Sequence, residues 1–176
     1  MADLKDEHLE ASSSRKPPRR ALCGERRRAS LADRLPTGPE GTLETLDDAV
    51  AYARRAQHLE EYRQAARRWG TSALQAATFD FFTPPEICDI DLEDYHGEPG
   101  DSIRVVAKDD LKVTRVGVLI TDGGNRLVEM GQARPAGTGH WVYTAARRVR
   151  GGSVRVIVDA ADLPGHLTEG RAEKSV

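Results

Sequence analysis

The chain has 176 residues, of which 31% are charged and 39% apolar, and its formal net charge is −2. That length provides one ordinary domain with extensions and a core of moderate size. A total charge so near zero gives the whole molecule no strong field for nucleic acid or membrane, and no apolar run approaches the roughly 18 residues a membrane helix needs.

Residues 1–41 read as a disordered arm. They are rich in Ser, Pro, Arg, Glu and Gly and nearly free of aromatic and β-branched residues. Such a segment buries too little apolar surface to offset its ordering entropy. Its start, "MADLKDEHLEASSSRK", lacks the apolar stretch of a signal peptide, so a soluble, cytoplasmic protein is expected. Within it "RKPPRRALCGERRR" (Arg15–Arg28) is strongly basic and offers non-specific phosphate contacts. No aromatic residue interleaves with the arginines, so base stacking is not indicated. The two cysteines, Cys23 and Cys88, are distant and unlike in context, and reduced thiols are expected.

A helical segment follows over residues 42–83. Thr45 with Asp48 three residues on reads as a capping box. Leu46, Val50 and Ala53 then recur at helical spacing. Leu59, Tyr62, Ala66, Trp69, Ala73 and Ala76 alternate steps of three and four, which places them on one helix face. Gly70 marks a bend or pause in this run, and Pro84 and Pro85 end it. The stripe serves either as a packing face or, through Leu59, Tyr62, Ala66 and Trp69, as a partner-binding face. The aromatic run Phe79–Phe82, "FDFF", is expected to dock on the following domain or on a second copy.

From Glu86 the period changes to two. Cys88, Ile90 and Leu92 alternate with acids; Ile103, Val105 and Ala107 form one face of a strand, as do Val116, Val118 and Ile120. Leu127–Gln132 is a short strand. Trp141, Tyr143 and Ala145 alternate, then Val154, Val156 and Val158, and Leu167 opens a short closing strand. The turn signals "GEPGD", "DGGN", "ARPAGTG", "RVRGG" and "DLPG" separate them. Short alternating strands at this spacing predict an antiparallel β-sandwich over residues 84–170, with 171–176 as a tail. The fold class is therefore α+β, a helical segment followed by a sandwich.

The stretches "AKDDLKVTRVGVLITDGGNRL", "WVYTA" and "GGSVRVIVDAADLPGHLTE" resemble a bacterial immunoglobulin-like (Ig-like) domain over about residues 87–170. In such domains a strand ends in Ala-x-Asp-Asp, a Val-rich strand and an Asp-Gly hairpin follow, and a late strand ends in Ala-x-Asp-x-x-Gly-Asn-x-Thr. Ala160, Asp162, Gly165 and Thr168 match that last pattern, with His166 in place of Asn. The resemblance implies an Ig-like sandwich. The relatives are exported, often in tandem arrays, whereas this chain has one copy behind a helical segment, so their adhesive roles are not carried over.

Strand direction places the Asp109–Lys112 turn, the Ala133–Gly139 loop and the Ala161–Gly165 turn at one pole. Asp109, Asp110 and Asp162 there are the candidate ligands for a Ca2+ ion, which takes carboxylate and carbonyl oxygens. Turn chemistry accounts for the same residues, since Asp accepts backbone N–H bonds and Pro-Gly turns tightly. His166, Leu163 and Asp109 are candidate binding-loop residues. Zinc spacings, a G-x-S-x-G elbow and a phosphate loop are absent from the sequence, and the five histidines are scattered. Cys88 falls on the apolar side of the predicted alternation and reads as a small core residue. The expected role is non-catalytic: a module that binds another protein, or a second copy of itself, through its loops, a strand edge or the helix stripe. The alternatives are a nucleic-acid-associated accessory protein using Arg15–Arg28, and a cation-binding protein or cation-dependent enzyme at the Asp-rich pole.

Overall fold

In the computed structural model of the chain, residues 45–176 are described. The arm at 1–41, with Arg15–Arg28 and Cys23, lies outside the described residues. Three helices come first: α1 (Leu46–Ala56), α2 (Glu60–Trp69) and α3 (Ala73–Phe81). The capping box at α1 forms as expected. Thr45 Oγ1 accepts from the Asp48 backbone N–H at 3.2 Å, and Asp48 Oδ2 accepts from the Thr45 N–H at 3.0 Å.

The long stripe does not form one helix. Gly70 adopts a left-handed conformation (φ 65°) and caps α2, and Ser72 begins α3 with a second capping box through Gln75. A Cβ is strained in that conformation, so the break follows from the glycine itself. The expected face is redistributed as a result. Leu59 is the α2 N-cap and stays 44% exposed, Ala66 and Trp69 are half-buried, and Tyr62 with Ala65 is fully inside. Tyr62 packs with Ala53, Ala56, Ala76 and Ala77, so the inner part of this face is taken up within the helical segment.

Eight strands follow: β1 (Glu86–Asp91), β2 (Ser102–Lys108), β3 (Arg115–Asp122), β4 (Leu127–Gln132), β5 (Arg134–Pro135), β6 (His140–Thr144), β7 (Ser153–Ala161) and β8 (Leu167–Ser175). They form two antiparallel four-stranded sheets, in the orders β1-β2-β6-β5 and β4-β3-β7-β8. Between the sheets lie Ile103, Val105 and Ala107 of β2, Val116, Val118 and Ile120 of β3, Trp141 and Tyr143 of β6, and Val154, Val156 and Val158 of β7. These are the predicted alternating sets. Period two puts them on one face, and the pairing of Val118 with Val158 brings two such faces into register.

Three strand expectations change. In β1 the register shifts at a bulge between Ile87 and Asp89, and Ile87 and Ile90, not Cys88, pack on the core. Cys88 is disulfide-bonded, not a reduced core residue. At the end of the chain, residues 171–175 are not a tail but the second half of β8, paired with β7 as far as Ser153↔Ser175. Small inward residues, Gly170 and Ala172, let β8 lie close to β1: a Cβ on Gly170 would stand 3.1 Å from Ile87 Cγ2. The "DGGN" hairpin forms as read, with Asn125 left-handed (φ 60°) and Asp122 Oδ1 accepting from Gly124 N–H at 2.9 Å.

Candidate functional site

The predicted pole does assemble, but beneath the helices. The Asp109 carboxylate caps its own turn, with Oδ1 accepting from the Leu111 and Lys112 backbone N–H groups at 2.8 Å each. The Asp162 side chain is fully committed to the β7–β8 turn. Its Oδ1 accepts from the Gly165 and His166 N–H groups at 2.7 Å each, and its Oδ2 lies 2.8 Å from His166 Nδ1. Thr114 Oγ1 ties the two turns together by donating to the Asp162 carbonyl at 2.9 Å.

The helical segment lands on these turns. Leu111 and Leu163 pack into the core around Tyr62. Phe81, from "FDFF", meets the His166 ring edge-on at a centroid distance of 5.1 Å. Lys112 Nζ donates to Glu61 Oε1 at 3.0 Å. The helices thus cover part of the pole that strand direction predicted: Leu163 and His166 pack against them, while Asp109 holds its own turn.

An acidic pocket lies at this interface. Asp80, in α3, is completely buried. Its Oδ2 accepts from the Tyr62 hydroxyl at 2.5 Å, and Tyr52 lies 2.7 Å from that hydroxyl. Tyr62 has one proton to give and gives it to Asp80, so Tyr52 donates to Tyr62. Asp80 Oδ1 and Asp109 Oδ2 are buried without a hydrogen-bond partner. Burial, reinforced by the charges of Asp109, Asp162 and Asp110, pushes the Asp80 carboxyl up to about 7, against the opposing effect of the Tyr62 hydrogen bond. Burial also holds the Asp109 carboxyl above its usual value despite its two backbone donors. Near neutrality this pocket holds or releases a proton, which is the chemistry its residues support.

The expected cation site does not form from its three named carboxylates. Among the described residues, no group of three or more His, Cys, Asp or Glu side chains is placed to hold a metal ion. Asp162 is committed to His166 and its turn, Asp109 to its own, and Asp110 is only half-buried at the rim. Asp80 and Tyr52 were not anticipated. The available signal was that Asp80 is the one charged residue within α3.

Two surfaces are open, one of them beside the helices at the same pole. A groove of about 560 Å3 opens between the β2–β3 turn and the β5–β6 hairpin, with Trp141, Leu111, Val113 and Pro135 among its walls and Lys108 and Lys112 beside them. On the other sheet, β4 is an edge strand, paired with β3 alone among the described strands. It carries Leu127, 57% exposed, and Met130, 68% exposed. Register sets Met130 beside Leu119 and Leu119 beside Ile157, so a short apolar row crosses the outer face from that edge.

No protein-family model matches the chain, and no curated protein matches it in sequence. Solved structures of similar shape include CopC from Methylosinus trichosporium OB3b, at 17% identity and a TM-score of 0.40, over 52% of this chain and 91% of that one. A tetra-tandem repeat from the extending region of a large adhesion protein matches at 17% identity and a TM-score of 0.37, over 52% of this chain and 23% of that one. A conjugative transposon lipoprotein from Bacteroides eggerthii matches at 12% identity and a TM-score of 0.27, over 51% of this chain and 92% of that one.

Proposed function

We propose that the chain is a non-catalytic protein-binding module on an Ig-like sandwich, and that its partner lies against the β4 edge. The Ig-like reading is supported by strand order. With β1 to β8 taken as A, B, C, C′, D, E, F and G, the sheets read A-B-E-D and C′-C-F-G, the Ig arrangement with one added edge strand.

The observation that carries the binding reading is the state of β4. An edge strand presents unpaired backbone groups, and natural proteins usually blunt such an edge with charge or proline. Here the edge carries two large exposed apolar side chains, Leu127 and Met130. Strand addition along β4 would satisfy its backbone, and the row Met130–Leu119–Ile157 would receive the partner's apolar side chains. The helical segment fits the role of a support: it covers the other end of the sandwich and leaves β4 open.

The test is affinity purification from the native host with the unaltered chain and with Leu127→Glu/Met130→Glu. Both positions are exposed, so the double variant should keep its melting temperature. Partners that depend on β4 should disappear from the variant eluate. Recovery of the same proteins with both chains would end this reading.

A further inference from the structure

We infer that the helical segment is a pH-dependent clasp over one end of the sandwich: it closes on a proton held by Asp80 and loosens when that proton leaves. The helices hold the turns beneath them at a few points. Leu111 and Leu163 pack around Tyr62, and Phe81 meets the His166 ring. Glu61 pairs with Lys112, whose side chain is 52% exposed, and an ion pair so open to water contributes little. The docking therefore rests on apolar contacts gathered around one buried carboxyl.

That carboxyl is built to prefer a proton. Asp80 is completely buried in α3. Tyr62 from α2 donates to its Oδ2 at 2.5 Å, and the Tyr52 hydroxyl from α1 stands 2.7 Å behind that of Tyr62. Oδ1 has no hydrogen-bond partner among the described residues. A proton on this carboxyl thus sits on Oδ1, and its loss leaves a buried charge with a single donor.

The sandwich faces it with acids. Asp109 and Asp110 on the β2–β3 turn and Asp162 on the β7–β8 turn all disfavour its charged form, Asp109 most strongly. Asp109 Oδ2 is itself buried without a partner. The basic groups on these two turns are engaged elsewhere: His166 Nδ1 lies 2.8 Å from Asp162 Oδ2, and Lys112 Nζ donates to Glu61. An ionised Asp80 adds one more negative charge to this interface, and parting the helices from the turns relieves it.

The direction follows from linkage. Closed, the carboxyl is pushed up to about 7; open to water, it returns towards 3.8. The closed state binds the proton more tightly, so opening becomes easier as pH rises towards about 7. Leu111 belongs both to the packing around Tyr62 and to the wall of the groove beside it. Opening bares Leu111, Leu163 and the His166 ring as a continuation of that groove, and pH sets how often this face is available.

Hydrogen exchange on the full chain at pH 6 and pH 8 tests the clasp, with each rate divided by the intrinsic rate of its amide at that pH. Protection in α2 and α3 should fall about tenfold between the two values, as the linkage requires. At both values these helices should be less protected than β3 and β7, because they open without the sandwich. Equal protection throughout would mean that they open only when the whole molecule unfolds, and would overturn the proposal. In Asp80→Asn, which keeps an oxygen for Tyr62, the helices should be equally protected at both pH values. Histidine side chains also titrate in this range, so a response that persists in Asp80→Asn would belong to His166 and would sink the clasp. Should Asp80→Asn fold poorly by circular dichroism, Asp109→Asn decides the matter. It keeps an acceptor for its own turn, removes the strongest charge facing Asp80 and should shrink the response; an undiminished response would refute the proposal.

Discussion

The Tyr62 hydroxyl in α2 donates to the buried Asp80 carboxylate in α3 at 2.5 Å, and this bond sits where the helical segment meets the end of the sandwich. The same carboxylate faces the charges of Asp109 and Asp110 on the β2–β3 turn and Asp162 on the β7–β8 turn. Helix packing and proton binding are therefore coupled at one point.

The first prediction concerns pH. Burial pushes the folded Asp80 carboxyl up to about 7, against an unfolded value near 3.8. The folded state therefore holds this proton more tightly than the unfolded state. Asp80 contributes most favourably below the unfolded value, its contribution falls as pH rises towards about 7, and it is level above that. Asp80→Asn keeps an oxygen acceptor for Tyr62 and removes the titration. Between pH 5 and pH 8 the variant should gain on the unaltered chain by roughly 2–3 kcal/mol, from about 1.4 kcal/mol per pKa unit. Urea unfolding at the two pH values measures this, and a constant difference would show that Asp80 does not titrate in that range.

Docking of the helices gives the second. Phe81 contacts Tyr52, Phe82 and His166 at once. Phe81→Ala removes the main apolar link between α3 and the β7–β8 turn, at a cost of about 3–5 kcal/mol. In the unaltered chain, Trp69 fluorescence from α2 and the β-sheet circular dichroism should report one coincident transition, as expected for a single cooperative unit. In the variant the helical signal should melt first. Retained coincidence at unchanged stability would mean that the helices fold independently of the sandwich.

The sandwich was legible in the sequence because period-two alternation states directly which residues face inward, and Val154, Val156 and Val158 do so. The turns were legible for the same reason that they work: Asp-Gly-Gly-Asn has the left-handed residue its hairpin requires. The helical stripe was misread because spacing alone cannot show that Gly70 ends a helix and reverses the chain. The pole was located from strand direction, but nothing local marks it as partly covered, since the cover comes from distant residues, Glu61 against Lys112 and Phe81 against His166. The bulge at Cys88 and the disulfide there carry no local signal either. A bulge shifts alternation by one residue, and that is easily absorbed into an apparent period of two.

The third prediction tests the seam between the sheets. Gly170 does not have a positive φ, so its role there is one of space. An added Cβ would meet Ile87 Cγ2 at 3.1 Å and Ile90 Cδ1 at 3.2 Å. Gly170→Val should therefore destabilise by about 1–3 kcal/mol through overpacking. Ile87→Val, made together with it, should recover part of that loss, a coupling that a double-mutant cycle reads directly. Purely additive effects would show that β8 does not press on β1.

The last prediction separates turn chemistry from cation binding at Asp162. The carboxylate accepts from two backbone N–H groups and lies against His166 Nδ1, and the side chain is wholly buried. Asp162→Ala leaves those donors without an acceptor inside the protein, where an unsatisfied group costs about 1–3 kcal/mol. The loss should total about 2–4 kcal/mol, some of it relieved by water entering the turn. If the aspartate served a cation instead, millimolar calcium would raise the melting temperature of the unaltered chain, and the variant would lose that rise. Turn chemistry predicts the opposite pattern: the melting temperature of the unaltered chain is the same with calcium or with a chelator, and the variant melts lower by the same interval in both. Thermal melts of the two proteins under the two conditions give four values, and the reading stands only if calcium moves none of them.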